Sequence, residues 1–294
     1  MPLPLESVPN FSEGRERATI DAIASALGER ARLLDVHADV DHNRSVFTLV
    51  GAADELVAAL LAGVARAKEL IDLGRHEGAH PRIGAADVVP VVPVRPEQMP
   101  EAREAALALA ERIGADLYLP VFLYGELSPG RGPATFRRGG REALQQRIDV
   151  GDLRPDFGPP KLDPRAGGVI VGARRPLIAF NVNLRGVDVD VAREVARSVR
   201  EADGGFPGVR ALGLDLPQAG LVQVSMNVED YEAAALHEIV ARVEEEAAAR
   251  GAGLAGSELV GLMPAGAAAA AAGTQLRIAG FDASRVLELR LLDD

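Results

Sequence analysis

The hydrophobic and polar positions of the chain divide it into short strands and amphipathic helices, and the order of these elements occurs twice. The first series runs strand, helix, strand, strand, helix, strand over residues 5–10, 15–27, 32–36, 45–50, 54–73 and 87–94. The second series repeats this order over residues 177–184, 189–201, 209–214, 221–227, 231–250 and 258–262. Because this is the order of a ferredoxin-like unit, the pattern predicts an α+β fold of two ferredoxin-like subdomains, with a ligand groove between them.

Two stretches fit the regular pattern less well. The strand predicted at residues 87–94 contains Pro90 and Pro93. Proline cannot donate to a strand ladder, so we predict an edge or irregular strand there. Residues 128–175 are rich in Gly, Pro and Arg, with one short helix predicted near residues 141–148. Irregular segments of this length inside a compact protein are usually functional or disordered.

Composition limits the classes of function that remain. The chain has 294 residues, of which 48% are hydrophobic, which is enough for one large domain or two modest ones. From the repeated order of elements we predict domains at residues 1–174 and 175–294. It has no cysteine, which excludes disulfides and thiolate chemistry and fits a reducing cytoplasm. The net charge of -11 argues against a general nucleic-acid binder. No apolar run reaches membrane-spanning length, and no signal-peptide pattern begins the chain. We therefore expect a cytoplasmic protein with neither a nucleic-acid nor a membrane partner.

The most concentrated polar chemistry follows the helix predicted at residues 54–73. Residues His76–His80 spell H-E-x-x-H, a zinc-peptidase motif that works only when both histidines share one helix face. A glycine inside the motif and Pro81 directly after it oppose a helix. In the alternative interpretation, His80 is a general base while Arg82 and the turn at Gly84 bind an anionic group. A purely structural role for His80, such as a bond to a neighbouring carbonyl, is the third possibility.

Two other polar positions are candidates for ligand binding. Asn43 and Arg44 end a polar link between two predicted strands, and the guanidinium fork of Arg44 suits a carboxylate. Ordinary turn chemistry is the alternative there. Asn10 precedes a predicted helix and could face a ligand at its N-terminus, or only cap it. Neither a P-loop motif nor a dinucleotide fingerprint is present, so nucleotide chemistry has no support.

Seven stretches, in order along nearly the whole chain, resemble motifs of the formiminotransferase family. This family comprises the glutamate formimidoyltransferases and the formiminotransferase part of formiminotransferase-cyclodeaminases. The stretches are residues 8–14, 43–51, 76–85, 124–126, 155–159, 177–184 and 260–264. Seven ordered motifs are much more specific than any one of them.

The resemblance implies transfer of the formimino group from N-formimino-L-glutamate to N5 of tetrahydrofolate, a step of histidine degradation. It implies that tetrahydrofolate is a co-substrate bound between two ferredoxin-like subdomains, that no metal takes part, and that the chain forms a homodimer. The family's catalytic histidine falls on His80. We assign substrate binding to Asn10, Asn43, Arg44, Arg82 and Gly84. The family's folate-binding segment falls on Gly158, Pro159, Pro160, Lys161, Leu162, Asp163, Pro164, Arg165, Ala166 and Gly167.

The implied chemistry agrees with the general-base interpretation of the histidine. N5 must lose a proton as it attacks the formimino carbon, and the departing amine of glutamate must gain one. One histidine can perform both transfers. We therefore expect a stand-alone transferase. A zinc-dependent hydrolase that uses His76 and His80, a folate-binding paralogue without transferase activity, and formyl transfer from N-formylglutamate are the alternatives.

Overall fold

The computed structural model describes residues 3–277 and consists of two compact units that divide between Arg175 and Pro176. The elements of the first unit are β1 (Leu5–Ser7), β2 (Asn10–Phe11), α1 (Arg17–Gly28), β3 (Arg32–Asp39), β4 (Arg44–Gly51), α2 (Ala53–Leu70), β5 (Ala86–Pro93), α3 (Met99–Asp116), β6 (Val121–Gly125), α4 (Pro133–Arg137), α5 (Gly140–Asp149) and β7 (Val169–Ala173).

The first unit contains a ferredoxin-like sheet with two added strands. β1 and β2 are consecutive pieces of one strand, and both pair antiparallel with β4 on one side and β5 on the other. β3 pairs antiparallel with β4 at the outside. β7 and then β6 continue the sheet in parallel beyond β5. The first strand of the β-α-β-β-α-β series therefore lies in the middle, and the predicted fold class is confirmed.

The prediction that residues 87–94 form an edge or irregular strand is wrong. This segment is β5, which lies between β1/β2 and β7 and is buried along its whole length. In the register, Ser7 is opposite Val91 and Asn10 is opposite Val88, so Pro90 lies opposite the interruption between β1 and β2. The missing N–H of Pro90 is tolerated because the antiparallel ladder is already broken at that point.

The interpretation of residues 128–175 as mostly irregular also missed a central strand. Val169–Ala173 is β7, a run of buried residues that pairs with β5 and β6. A short continuous apolar run has no alternation, and its period alone does not identify it as a strand. The predicted short helix near residues 141–148 is confirmed as α5, and α4 precedes it.

Helix α2 shows how the apolar pattern produces the packing of the first unit. Leu56, Leu60, Val64 and Ala67 recur at helical spacing, and all are fully or almost fully buried. Truncating a core leucine of this kind costs about 2–5 kcal/mol. The helix ends at Leu70, since the next residue is already extended, so the connection to β5 begins earlier than the sequence predicts.

The second unit has the same topology in a smaller form. Its elements are β8 (Ile178–Arg185), α6 (Val189–Val199), β9 (Val209–Leu216), β10 (Leu221–Val228), α7 (Leu236–Ala248), β11 (Gly253–Val260) and α8 (Ala265–Gln275). The sheet order is β11-β8-β10-β9, with every pair antiparallel, so the first strand is again central. Asp188 caps α6 by accepting hydrogen bonds from the backbone N–H groups of Asp190 and Val191. Within residues 3–277, no helix is both long enough and apolar enough to cross a membrane.

Candidate active site

Residues 71–85, between α2 and β5, form an extended connection that we name the histidine loop. It contains no helical turn at His76–His80, so the two histidines do not share a helix face as the H-E-x-x-H motif requires. Within the part of the chain that the structure describes, no cluster of three or more His, Cys, Asp or Glu side chains could hold a metal ion. The chemistry of the loop therefore depends on what its individual side chains contact.

Arg82 fastens the histidine loop to the turn between β3 and β4. Its Nη2 donates to the carbonyl oxygen of His42 at 2.7 Å, and its Nη1 donates to that of Asn43 at 2.8 Å. Nε and Nη2 also donate to the carbonyl oxygen of His80, at 3.1 and 2.8 Å. Nη1 lies 3.0 Å from Nε2 of His76. All five N–H donors of a guanidinium are thereby engaged, so this geometry favours a loop-holding role. Substrate binding by Arg82 stays a prediction.

Asn43 holds the histidine loop at its middle, and Gly84 holds it near its C-terminal end. Asn43 has a left-handed backbone (φ 46°), its Oδ1 accepts from the N–H of Gly14 at 2.9 Å, and its Nδ2 donates to the carbonyl oxygen of Glu77 at 2.9 Å. Gly84 pairs with Gly167 across an isolated bridge, and a Cβ on Gly84 would collide with a backbone carbonyl. Gly84 is therefore required by the close approach of two backbones.

A buried cluster of charges lies under the loop. Asp87, on β5, is completely buried, and its Oδ2 accepts from Nη1 of Arg44 at 3.0 Å and from Nη2 of Arg137. Its Oδ1 accepts from the N–H of Ile83 at 2.7 Å. Burial alone would raise the pKa of Asp87, but Arg137, Arg44 and the Ile83 N–H outweigh it and lower that pKa below its usual range. The carboxylate therefore stays ionised between two guanidinium groups.

Asn10 holds the other edge of Arg44. Its Oδ1 accepts from Nε and Nη2 of Arg44 at 2.9 and 2.7 Å, while its Nδ2 donates to the carbonyl oxygen of Val8. Burial lowers the pKa of Arg44 to about 10, so the guanidinium remains charged at pH 7. Its Nη1 also lies 3.2 Å from Nδ1 of His80, which brings the predicted catalytic histidine beside the cluster.

The contacts of His80 are compatible with two tautomers and favour a neutral ring. Nδ1 lies 2.8 Å from the carbonyl oxygen of Pro81, which only accepts, and 3.2 Å from Nη1 of Arg44, which only donates. In the tautomer whose Nδ1–H donates to Pro81, the lone pair is on Nε2, to which no group among residues 3–277 is hydrogen-bonded. Burial, followed by the positive charges of Arg44 and Arg137, lowers the pKa of His80 well below its ordinary value. The ring is therefore neutral at pH 7, and in this tautomer it can accept a proton at Nε2.

His76 has a different environment from His80. Both of its ring nitrogens lie within 3.1 Å of Nη1 of Arg82. Burial and then the charge of Arg82 lower the pKa of His76 to about 4. A neutral imidazole that faces a fully engaged arginine is suited to holding the loop, and the protonated form would be repelled.

The histidine loop forms one wall of a cavity of about 660 Å³, a size suited to a small-molecule ligand. The opposite wall comes from the start of α5 and from the segment that the resemblance marks for folate. The lining residues are Leu73, Gly74, His76, Gly78, His80, Arg82, Gly139, Gly140, Arg141, Glu142, Gln145, Leu162 and Pro164. The fold of the first unit thus brings His80 and part of the predicted folate segment into one cavity.

Leu162 and Pro164 of the predicted folate segment line the cavity, and the other eight residues of that segment do not. Oε1 of Gln145 accepts from the N–H of Leu162 at 2.7 Å, and Nη2 of Arg141 donates to the carbonyl oxygen of Pro164 at 2.8 Å. Oδ1 of Asp163 closes a turn by accepting from the N–H groups of Arg165 and Ala166. The two ends, Gly158 and Gly167, both have left-handed backbones, while Pro159, Pro160 and Lys161 do not line the cavity.

Sequence reasoning missed several residues of this site, four of which make hydrogen bonds that shape it. Asp87 and Arg137 complete the charge cluster, and Arg141 and Gln145 line the cavity. One signal was present for Asp87, because a lone acid begins an otherwise apolar strand. Arg137, Arg141 and Gln145 lie in the stretch interpreted as largely irregular, and nothing in their spacing indicates what they contact.

Two family models match the chain in succession. The model described as "Formiminotransferase domain, N-terminal subdomain" matches residues 4–174, and the model described as "Formiminotransferase domain" matches residues 179–278. Together with the two-subdomain fold, these matches define the class of protein as a one-carbon group transferase. The chain belongs to the formiminotransferase family.

Individual relatives are similar in sequence to this chain over most of its length. The glutamate formimidoyltransferase of Streptococcus pyogenes serotype M1 is 39% identical over 98% of each chain. That of Thermoplasma acidophilum is 38% identical, over 98% of this chain and 97% of its own. The formimidoyltransferase-cyclodeaminase of Rattus norvegicus is 40% identical over 88% of this chain, which corresponds to 50% of its own length. Like these relatives, the chain is an enzyme that transfers a formimino group.

Proposed function

We propose that the enzyme transfers the formimino group from N-formimino-L-glutamate to N5 of tetrahydrofolate, with His80 as the general acid and base. The observation that carries this proposal is a neutral His80 that lines the cavity. The proposal takes the tautomer whose Nδ1–H donates to the Pro81 carbonyl, which leaves the lone pair on Nε2, a nitrogen without a hydrogen-bond partner among residues 3–277. A base must lie within hydrogen-bond reach of the proton that it removes, and Nε2 is the atom of this site that can do so.

The proposed reaction balances without a metal or a covalent enzyme intermediate. N5 of tetrahydrofolate attacks the formimino carbon, a C–N bond forms, and the N5 proton passes to Nε2 of His80. The resulting tetrahedral intermediate expels the amine of glutamate as the old C–N bond breaks. His80 returns the proton to that departing nitrogen, so the products are 5-formiminotetrahydrofolate and glutamate. Holding both substrates in one cavity supplies the proximity that a two-substrate reaction needs.

Substrate charge adjusts the base in this mechanism. In the free enzyme, the positive charges of Arg44 and Arg137 keep the pKa of His80 low, which disfavours its protonation. Both proposed substrates carry carboxylates, and a carboxylate bound near either arginine would offset that positive charge. The pKa of His80 therefore rises when substrate binds, and the ring becomes a better proton acceptor in the complex than in the free enzyme.

The proposed function is tested by direct reconstitution. Enzyme, tetrahydrofolate and N-formimino-L-glutamate are mixed, and free glutamate and 5-formiminotetrahydrofolate are measured together. We expect the two products in equal amounts and undiminished activity in the presence of a chelator. Folate binding without turnover would identify the folate-binding paralogue instead, and turnover only with N-formylglutamate would change the donor.

A further inference from the structure

Three arginines surround His80, and they differ in how many of their hydrogen-bond donors the protein uses. Arg82 has every N–H engaged, by three carbonyl oxygens and His76. Arg44 is held on one edge by Asn10 and at Nη1 by Asp87. Arg137 makes a single hydrogen bond within residues 3–277, from Nη2 to Asp87. A guanidinium has five donors, so Arg137 has most of its hydrogen-bonding capacity left.

One unused donor of Arg137 is buried, and leaving a buried donor without a partner costs free energy. The Arg137 side chain is only 15% exposed, and its Nε is buried without a hydrogen-bond partner. An unsatisfied buried donor on a charged group keeps the full cost of its desolvation. Native structures usually pair such a group with protein, water or a ligand.

Neighbouring residues fix Arg137 at both its backbone and its guanidinium group. Arg137 is the last residue of α4, directly after Phe136, which is fully buried and contacts Phe122 at a ring-centroid distance of 5.1 Å. Asp87 fixes the guanidinium from below, and the same carboxylate oxygen binds Arg44, whose Nη1 contacts His80. Arg137 is therefore a positioned cation next to the proposed proton-transfer group.

Resting on the proposed function, we infer that Arg137, held by Asp87, binds a substrate carboxylate beside His80. Two arginines and one buried aspartate leave a net positive charge in the cluster, which attracts an anion. A carboxylate also matches the paired N–H donors of a guanidinium. The carboxylate belongs either to the formiminoglutamate donor or to the glutamate tail of tetrahydrofolate, which have the same chemistry.

The test combines Arg137→Ala with substrates that lack one carboxylate each. Steady-state kinetics are measured with N-formimino-L-glutamate, with the two donor analogues in which one carboxylate is a carboxamide, and with tetrahydropteroate in place of tetrahydrofolate. We expect Arg137→Ala to raise the KM of the substrate whose carboxylate Arg137 binds about 10- to 100-fold, with a smaller change in kcat. That penalty disappears with the analogue that lacks the bound carboxylate, which identifies its source.

Arg131→Ala is the matched control. Arg131 belongs to the same segment, is partly buried, pairs with Asp156 through two contacts of 3.1 Å and lies 4.9 Å above the Phe136 ring. It makes no contact with the charge cluster, so its loss is expected to act equally on every substrate. A penalty that depends on the substrate analogue for Arg137→Ala but not for Arg131→Ala supports the inference.

Other outcomes overturn it. An unchanged KM for both substrates in Arg137→Ala, or a penalty that persists with all the carboxylate-free analogues, excludes carboxylate binding by Arg137. If Arg137→Ala does not fold, Arg137→Lys retains the charge beside Asp87, and the same substrate dependence is then expected with a smaller rise in KM. Absence of turnover by the wild-type enzyme would refute the proposed function itself, which is a different result from a wild type that works and a variant that is unaffected.

Discussion

The two units share a topology but differ at one connection. In the first unit, the link from the second helix to the last ferredoxin-like strand runs over residues 71–85 and carries His76, His80 and Arg82. In the second unit, the corresponding link runs over residues 249–252 and is a tight turn, closed by a hydrogen bond from the N–H of Ala252 to the carbonyl oxygen of Ala247 at 2.9 Å. The proposed proton-transfer group thus lies on a long connection that only one of the two repeats has.

The polar interiors differ in the same way. On the central strand of the first unit, Asn10 contacts a cluster of buried charges. In the second unit, Asn181 of the central strand β8 donates to Glu258, and Gln223 of β10 donates to both Asn183 and Glu258. Neutral amides are inexpensive to bury when they are hydrogen-bonded, whereas buried charges must be paired. The two units therefore share a topology, and the buried pairs of opposite charges that Asp87 forms belong to the first unit.

The largest expected effect is the loss of catalysis in His80→Gln. Removing a general acid and base lowers turnover by about 10²- to 10⁴-fold, and tetrahydrofolate binding, measured by titration, is expected to stay within a few fold. His237→Gln, on α7 of the second unit, is the control and should leave turnover unchanged. Full activity in His80→Gln would contradict the proposal that the proton-transfer group lies on the long connection of the first unit.

Asp87→Asn tests the buried charges of the first unit. Without the carboxylate, Arg44 and Arg137 face each other uncompensated, and we expect the free energy of unfolding to fall by about 3–5 kcal/mol in denaturant titrations. Glu258→Gln in the second unit keeps an oxygen that can accept from Asn181, so its expected loss is about 1 kcal/mol. Equal losses would show that the two polar interiors are energetically alike.

Arg44→Gln tests the electrostatic control of His80. The positive charge of Arg44 disfavours a second positive charge on the ring, so its removal raises the pKa of His80. Because the neutral ring is the active form, the acid limb of the kcat/KM profile moves to higher pH. Arg131→Gln, outside the cluster, should leave the limb in place. A limb that stays or moves to lower pH in Arg44→Gln contradicts this account.

The smallest effect concerns His76 and the stability of the histidine loop at acid pH. The pKa of His76 is about 4 in the folded protein and about 6.5 when unfolded, so between these values the unfolded state binds more protons. Stability therefore falls as the pH drops from 6.5 towards 4. His76→Gln should reduce this slope, by less than about 1 kcal/mol in total because the side chain is half-exposed. Denaturant titrations at pH 7.5 and pH 5 measure the difference.

Sequence periodicity predicted most of the fold and misjudged two strands of the same sheet. The prolines of β5 indicated an edge, yet the break between β1 and β2 accommodates Pro90 in the middle. β7 was missed because an entirely buried strand has no alternation. Both errors have the same cause. The strands that lie beside β5 and β7 are far away in the sequence, and a local pattern carries no information about them.

For the site, sequence reasoning selected residues that the structure brings together. Arg44 contacts both Asn10 and His80, although the three residues come from separate segments. The same reasoning did not find Asp87 as the partner of Arg44 or of Arg137, which lie 43 and 50 positions away from it. A pairing at such separations depends on which strands are neighbours.

The sequence by itself determined the two β-α-β-β-α-β series, because hydrophobic periodicity is a local property of each strand and helix. It also argued against a zinc-binding helix after Gly74, because glycine and proline act on the backbone where they stand. Only the tertiary structure decided that Asp87 holds two arginines beside His80 and that Arg137 keeps unused donors there. Hydrogen bonding and charge in a buried site depend on distance in space, and the sheet order sets that distance.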